Sequence, residues 1–321
     1  MARFLCAVFG VPDSHRMFQE DVLRWKCFTP HPFWEGDRGY ALRYKGAMAA
    51  FGCLVPCRFL TGSQAVASCN VIDWAASKAV PGAGIILYRH IRTLTGTMIN
   101  IGGTPDALHV LPQIGFAPRT EIHQYTRVIR PLRHLAGRKG WKSPLRLARD
   151  YGELARPAEP APSWSAAKVA ELPRDTFPDP SVTGQVVGER TAASLAYFLS
   201  CPVARMELYR VERGYFLLSH VDRQCRIADL WVNSAEPRDW AKAYAAAAAA
   251  ARADSQATEV TAGASSPLQT KALEQAGYRR VHSEPVFVLD PDFRLAGRRD
   301  LALGFLENDA FYWSPTPANS R

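Results

Sequence analysis

TPDALHVLPQIGF, residues 104–116, carries every signal needed to start and stop one short helix. Thr104 supplies a hydroxyl N-cap, and Pro105 occupies the first helical position, where a missing N–H costs nothing. Gly115 stops the helix and Phe116 enters the next strand. A capped helix alone is common, but SPLQTKALEQAGY, residues 266–278, repeats the pattern. Both stretches read [Thr/Ser]-Pro, five residues, then Leu-x-Gln-x-Gly-aromatic. Each follows a strand-like run, TMINIGG (97–103) or ATEVTAGA (257–264). Agreement in register at this many positions marks an internal duplication.

The correspondence extends upstream. SCNVIDWAAS (68–77) and CRIADLWVNS (225–234) are β-rich runs, each with one aspartate, Asp73 or Asp229, followed by tryptophan and ending in serine. Hairpin-like segments precede them at 40–56 and 206–221, and helix-forming segments follow, GIILYRHIRTL (84–94) and AKAYAAAAAAARA (241–253). Alanine's helix propensity makes the second a closely packed helix. Both halves are therefore expected to run β-β-β-α-β-α-β. This is a mixed α/β, α+β-like layout with an antiparallel start and a parallel crossover. The Pro/Ala stretch PAEPAPS (157–163) separates the halves, giving expected domains at 1–130 and 166–321 with a linker at 131–165.

Composition bounds the function classes. Of 321 residues, 47% are hydrophobic, enough for a substantial core. No run approaches the ~20 apolar residues of a membrane span, and MARFLCAVFGV lacks a small-residue cleavage pattern. A soluble cytoplasmic protein is expected. The seven cysteines include no Cys-x-x-Cys pair, which points to reduced thiols and to no metal. The +9 charge concentrates between Arg127 and Arg156. That block suits a polyanion or a solvated connection, and with only Trp141 and Tyr151 for stacking the solvated connection is the expectation.

VPGAGIILYRHI (80–91) leaves two readings open, a phosphate cradle or a flexible strand-to-helix corner. A three-strand meander, a Gly-rich turn opening a helix, a strand, a second helix and then QIGF together resemble the GNAT acyltransferases, which move an acyl group from acyl-CoA to an amine. The resemblance covers most of both halves and implies two tandem GNAT-like domains. It implies acetyl-CoA or another acyl-CoA as co-substrate and an amine acceptor, whether a small molecule, an amino sugar or a peptide. The family's pyrophosphate loop falls on Pro81, Gly82, Ala83, Gly84, Ile85 and Ile86. Pro81 replaces a basic residue and Ile86 a small one, while Gly84 is retained. The corresponding second-half turn, VNSAEPRDW (232–240), has no glycine and sets Glu236 where a diphosphate would lie, so the first half is expected to bind the cofactor.

The resemblance assigns the oxyanion donors to backbone N–H groups at Trp74, Ala75 and Ala76. It also places Thr104 near the cofactor. The family's acid tyrosine is replaced by Leu111 and Leu273. Tyr88 and His109 are the substitutes, and Asp73 is the candidate base, requiring burial or a relay water to be effective. The mixture of Glu307, Asp309, Phe311, Tyr312 and Trp313 lines an acceptor pocket or docks a tail. Two alternatives stand beside the acyltransferase. One is a Fem-type aminoacyl transferase that holds charged tRNA on residues 127–156, and the other a non-catalytic binding module.

Overall fold

The computed structural model describes residues 1–62, 64–136, 164–292, 294–295 and 300–312. The linker, most of the basic block and Trp313 lie outside them. The strands are β1 Gly39–Tyr44, β2 Ala47–Thr61, β3 Gln64–Ala76, β4 Met98–Ile101, β5 Ala117–Val128, β6 Ala167–Lys168, β7 Val186–Gly188, β8 Arg205–Val211, β9 Gly214–Val221, β10 Gln224–Val232, β11 Glu259–Ala264, β12 Arg279–Leu289 and β13 Leu301–Ala302. The α-helices are α1 Ala2–Phe9, α2 Glu20–Cys27, α3 Ala83–Ile91, α4 Pro105–Val110, α5 Pro131–Ala136, α6 Pro180–Thr183, α7 Ala192–Leu199, α8 Pro237–Ala251 and α9 Pro267–Gln275.

The duplicated layout is present. β1-β2-β3-α3-β4-α4-β5 in the first half matches β8-β9-β10-α8-β11-α9-β12 in the second. The repeated helix signals act as the residues dictate. Thr104 Oγ1 accepts from Ala107 N–H at 3.3 Å and Ser266 Oγ from Gln269 N–H at 3.3 Å. Gly115 (φ 98°) and Gly277 (φ 78°) take the left-handed conformation that ends each unit. In α8 the alanines 243, 246, 247, 248 and 251 are buried, so the run is a closely packed helix.

The halves do not keep separate sheets. All strands join one sheet in the order β13-β7-β2-β3-β4-β12-β5-β11-β10-β9-β8-β6, with β1 paired to β2. The last strand of each half crosses into the other, so β12 lies between β4 and β5, and β5 lies between β12 and β11. Both repeats thereby contribute to one continuous ladder, which ties the two cores together through backbone hydrogen bonds.

Parallel pairing stops early at corresponding places. β3 pairs with β4 only at Cys69 and Asn70, yet runs on to Ala76. β10 pairs with β11 only from Gln224 to Ile227, yet runs on to Val232. Beyond those points the strands splay. A bulge lies beyond the last parallel pair in each strand: Asp73-Trp74 oppose Gly52 in β3, and the register shifts between Ile227 and Asp229 in β10. Asp73 is in the left-handed region at φ 52°, which aspartate tolerates better than most residues.

Helices α1 and α2 pack on one face of the first half with Phe51, Cys53, Ile72 and Ala75, while α3 packs on the opposite face with Ala50, Leu54 and Val71. Between the halves, α2 and α7 meet through Trp25 and Tyr197. Their rings stack at 4.9 Å, and each donates to the other's backbone carbonyl. All seven cysteines are buried and free.

Candidate active site

The start of α3 shows why VPGAGIIL folds as it does. Gly82 is the N-cap at φ 81°, with open space around the position of a Cβ. Ala83 N–H is accepted by Val80 O at 3.2 Å and Ile86 N–H by Gly82 O at 3.0 Å. The amides of Gly84 and Ile85 between them have no acceptor among the described residues. They are the orphan donors that every helix N-terminus leaves, and they sit at the positive end of the helix dipole. Pro81 and Gly82 are exposed, Ala83 and Gly84 buried, Ile85 half-buried and Ile86 exposed.

Gly84 also has a packing reason to be glycine. A Cβ there would stand 3.1 Å from Ala76 Cβ and 3.2 Å from Trp74 Nε1. Trp74 Nε1 donates to Gly84 O at 3.1 Å, and its ring meets Tyr88 edge-on at 4.7 Å. The fold therefore brings Trp74, Ala76, Gly84 and Tyr88 together where β3 splays from β4. Ala75 is buried on the other face, beside Ile72 and Phe51. Tyr88 is 1% exposed and its hydroxyl has no partner among the described residues. Burial holds its pKa well above the ordinary phenol value, so it stays a proton donor.

The other sequence candidates lie apart from this group. Thr104 is exposed and engaged as the cap of α4, and His109 is exposed on the same helix. Neither shares a hydrogen bond or ring contact with Trp74, Gly84 or Tyr88. The Asp73 side chain turns to α2, where Lys26 Nζ lies 2.9 Å from its Oδ2. The Lys26 side chain is 1% exposed. Burial opposes its charge, but the neighbouring carboxylates of Asp73 and Asp309 hold its pKa above the ordinary value.

Asp229 repeats this arrangement. It receives Arg190 Nε at 2.8 Å and Tyr215 Oη at 2.6 Å, and Arg190 also reaches Glu307 at 2.5 Å. Two buried ion pairs at two equivalent bulges give both aspartates an anchoring role. Glu307 and Asp309 come from the C-terminal segment, which docks Phe311 and Tyr312 against Trp25 and presses Phe305 onto Gly263. That segment closes the β10/β11 splay. Nothing local in the sequence distinguishes Lys26 or Arg190 from surface cations, since their partners are 47 and 39 residues away.

In the second-half turn the amide corresponding to that of Gly84, Arg238 N–H, is likewise without an acceptor among the described residues, but carboxylates surround it. Ser234 Oγ accepts from Glu236 N–H at 3.2 Å and donates to Asp239 at 2.8 Å, while Glu236 O accepts Asp239 N–H. In the basic block, Arg127, Arg130 and Arg133 donate to backbone carbonyls of Ala276, Asp254 and Ser255. Its remaining cations lie outside the described residues. No helix among those residues is long and apolar enough to cross a membrane, and no group of three or more His, Cys, Asp or Glu could hold a metal ion.

No family model matches the chain, and no curated protein matches it. Solved structures do. A GCN5-related N-acetyltransferase from Kribbella flavida matches with TM-score 0.56 and 14% identity, over 92% of this chain and 71% of that one. A putative acetyltransferase from Pyrococcus horikoshii matches with TM-score 0.54 and 13% identity, over 94% and 89%. The N-myristoyltransferase of Saccharomyces cerevisiae, solved with bound myristoyl-CoA, matches with TM-score 0.56 and 13% identity, over 87% and 76%. Duplicated meanders, splayed strands and capped helices thus assemble into a fold shared with these solved acetyltransferases and with the N-myristoyltransferase.

Proposed function

We propose that the protein is an acyl-CoA-dependent N-acyltransferase whose first half binds the cofactor and whose second half is scaffold. One observation carries this reading. At the start of α3, beside a splayed β3, the amides of Gly84 and Ile85 and the hydroxyl of Tyr88 are donors without acceptors among the described residues. Backbone amides at a helix N-terminus suit a diphosphate. The second-half turn sets the carboxylates of Glu236 and Asp239 beside its own unpartnered amide, at Arg238, and these oppose a diphosphate.

With a diphosphate on residues 81–85, the pantetheine arm would follow the edge of β3 left unpaired by β4, and of the amides at residues 74–76 those of Trp74 and Ala76 would face the thioester carbonyl, Ala75 being opposite Phe51 in the β2 ladder. The acceptor amine would attack that carbonyl carbon as the C–S bond breaks, and its proton would pass to the departing thiolate through the Tyr88 hydroxyl, which gives one proton to sulfur and regains one from nitrogen. The Trp74 indole, bonded to Gly84 O, closes the same space and must turn aside as the arm enters. Asp73, bound to Lys26, holds the bulge that orients those amides. Seven buried thiols fit a reducing compartment such as the cytoplasm.

Calorimetric titration with acetyl-CoA and longer acyl-CoAs is expected to give one site per chain. Absence of binding by any of them, in a folded protein, would favour the non-catalytic module.

A further inference from the structure

We infer that a cavity between α2, the 28–38 connection and α7 is a binding site for one small monovalent anion of chloride's size. Its wall includes Trp25, Lys26, His31, Arg38, Tyr197 and Asn308. Two of these present buried N–H groups without an acceptor among the described residues, His31 Nε2 and Arg38 Nε, on residues 6% and 2% exposed.

The tautomer of His31 is fixed by its neighbour. Phe33 N–H donates to Nδ1 at 3.2 Å, so that nitrogen carries no proton. Burial first, then the charge of Arg38, pushes the imidazole pKa down to about 3, so the ring is neutral and its proton is on Nε2. Arg38 donates through NH2 to Trp25 O at 2.7 Å and Thr29 O at 3.0 Å, and forms no ion pair with a carboxylate among the described residues. Both groups lean on one ring, with His31 4.6 Å and Arg38 4.9 Å from Tyr197.

Among the acceptors nearby, the Tyr197 hydroxyl oxygen receives the Arg38 guanidinium, and two others are taken. Trp25 O takes Arg38 and the Tyr197 hydroxyl, and Asn308 Oδ1 takes Ala310 N–H at 2.7 Å. A halide accepts several N–H groups and returns none, which matches this donor-rich wall, whereas a water must place its own protons. A buried guanidinium without a carboxylate also favours a counter-charge. The cavity, about 10 Å³, admits one water-sized particle and excludes sulfate, phosphate or an organic carboxylate. Occupied, it clamps the first half's connection to the second half's helix. This inference is independent of the acyl-transfer proposal.

The test is thermal unfolding at constant ionic strength with gluconate replaced stepwise by chloride, paired with crystals grown in bromide. The expected results are a saturable rise in Tm and an anomalous bromide peak within hydrogen-bond distance of Arg38 Nε and His31 Nε2. His31→Phe removes one donor and keeps a ring against Tyr197, so half-saturation should move to about tenfold higher chloride. A Tm equal in gluconate and chloride, or bromide-grown crystals with only a water between the two nitrogens, would overturn it. Because His31→Phe retains Arg38, the test does not depend on an arginine variant folding.

Discussion

Replacing Ile86 separates cofactor binding from folding at the start of α3. Its side chain is 56% exposed, one residue beyond the two unpartnered amides. Glutamate there loses little packing, and near a helix N-terminus it stabilises the fold by ~0.3–1 kcal/mol. Helix geometry sets its carboxylate about 7 Å from a diphosphate on Gly84 and Ile85. At that range each pair of unit charges interacts by roughly 0.6 kcal/mol in water and 2.4 at an effective dielectric of 20, and ionic screening reduces both. Against a dianion, a net penalty of about 1–2 kcal/mol is expected, a roughly 5- to 30-fold loss of acyl-CoA affinity. Ile86→Arg should strengthen binding by a similar factor. The assay is calorimetric titration of wild type and both variants, with thermal melts confirming that each is folded. Affinities agreeing within about twofold across glutamate, isoleucine and arginine would refute a diphosphate at this helix.

Three further outcomes follow from the same geometry. Tyr88→Phe removes a hydroxyl with no partner among the described residues, so stability should hold while kcat falls by about 10²-fold or more with KM little changed; steady-state kinetics and urea unfolding check both. Lys26→Met strands the Asp73 carboxylate and should cost about 3–5 kcal/mol, whereas Lys26→Met with Asp73→Leu should recover much of it; urea denaturation of the three proteins measures the coupling. Burial and the adjacent Asp73 raise the Asp309 pKa to about 6, against Lys26, so the folded state holds that proton more tightly than the unfolded chain does. Stability from this group is then greatest at low pH and declines as pH rises from about 4 to about 6. Asp309→Asn should flatten that decline when unfolding is followed across the window.

The duplication was legible because caps, prolines and glycine stops act locally. Thr104, Ser266, Gly115 and Gly277 do what their side chains or lack of them require. The exchange of β5 and β12 was not legible, since both strands alternate in the same manner whichever neighbour they join, and pairing partners far apart in sequence leave no local mark. At the site, the glycine turn was visible but its cause was only half so. Gly84 clears space for Trp74 and Ala76, a contact that depends on how α3 lies on β3. For the same reason Gly84→Glu would disturb packing as well as charge, which makes residue 86 the cleaner probe. Asp73 read as a candidate base because its ammonium partner, Lys26, is on a helix 47 residues away.

The central claim concerns two amides, and they can be observed individually. In a ¹⁵N–¹H correlation experiment with acetyl-CoA titrated into labelled protein, the resonances of Gly84 and Ile85 should show the largest downfield shifts, with residues 236–239 unmoved. Shifts confined to 236–239, or a saturated complex that leaves Gly84 and Ile85 at their free positions, would contradict it.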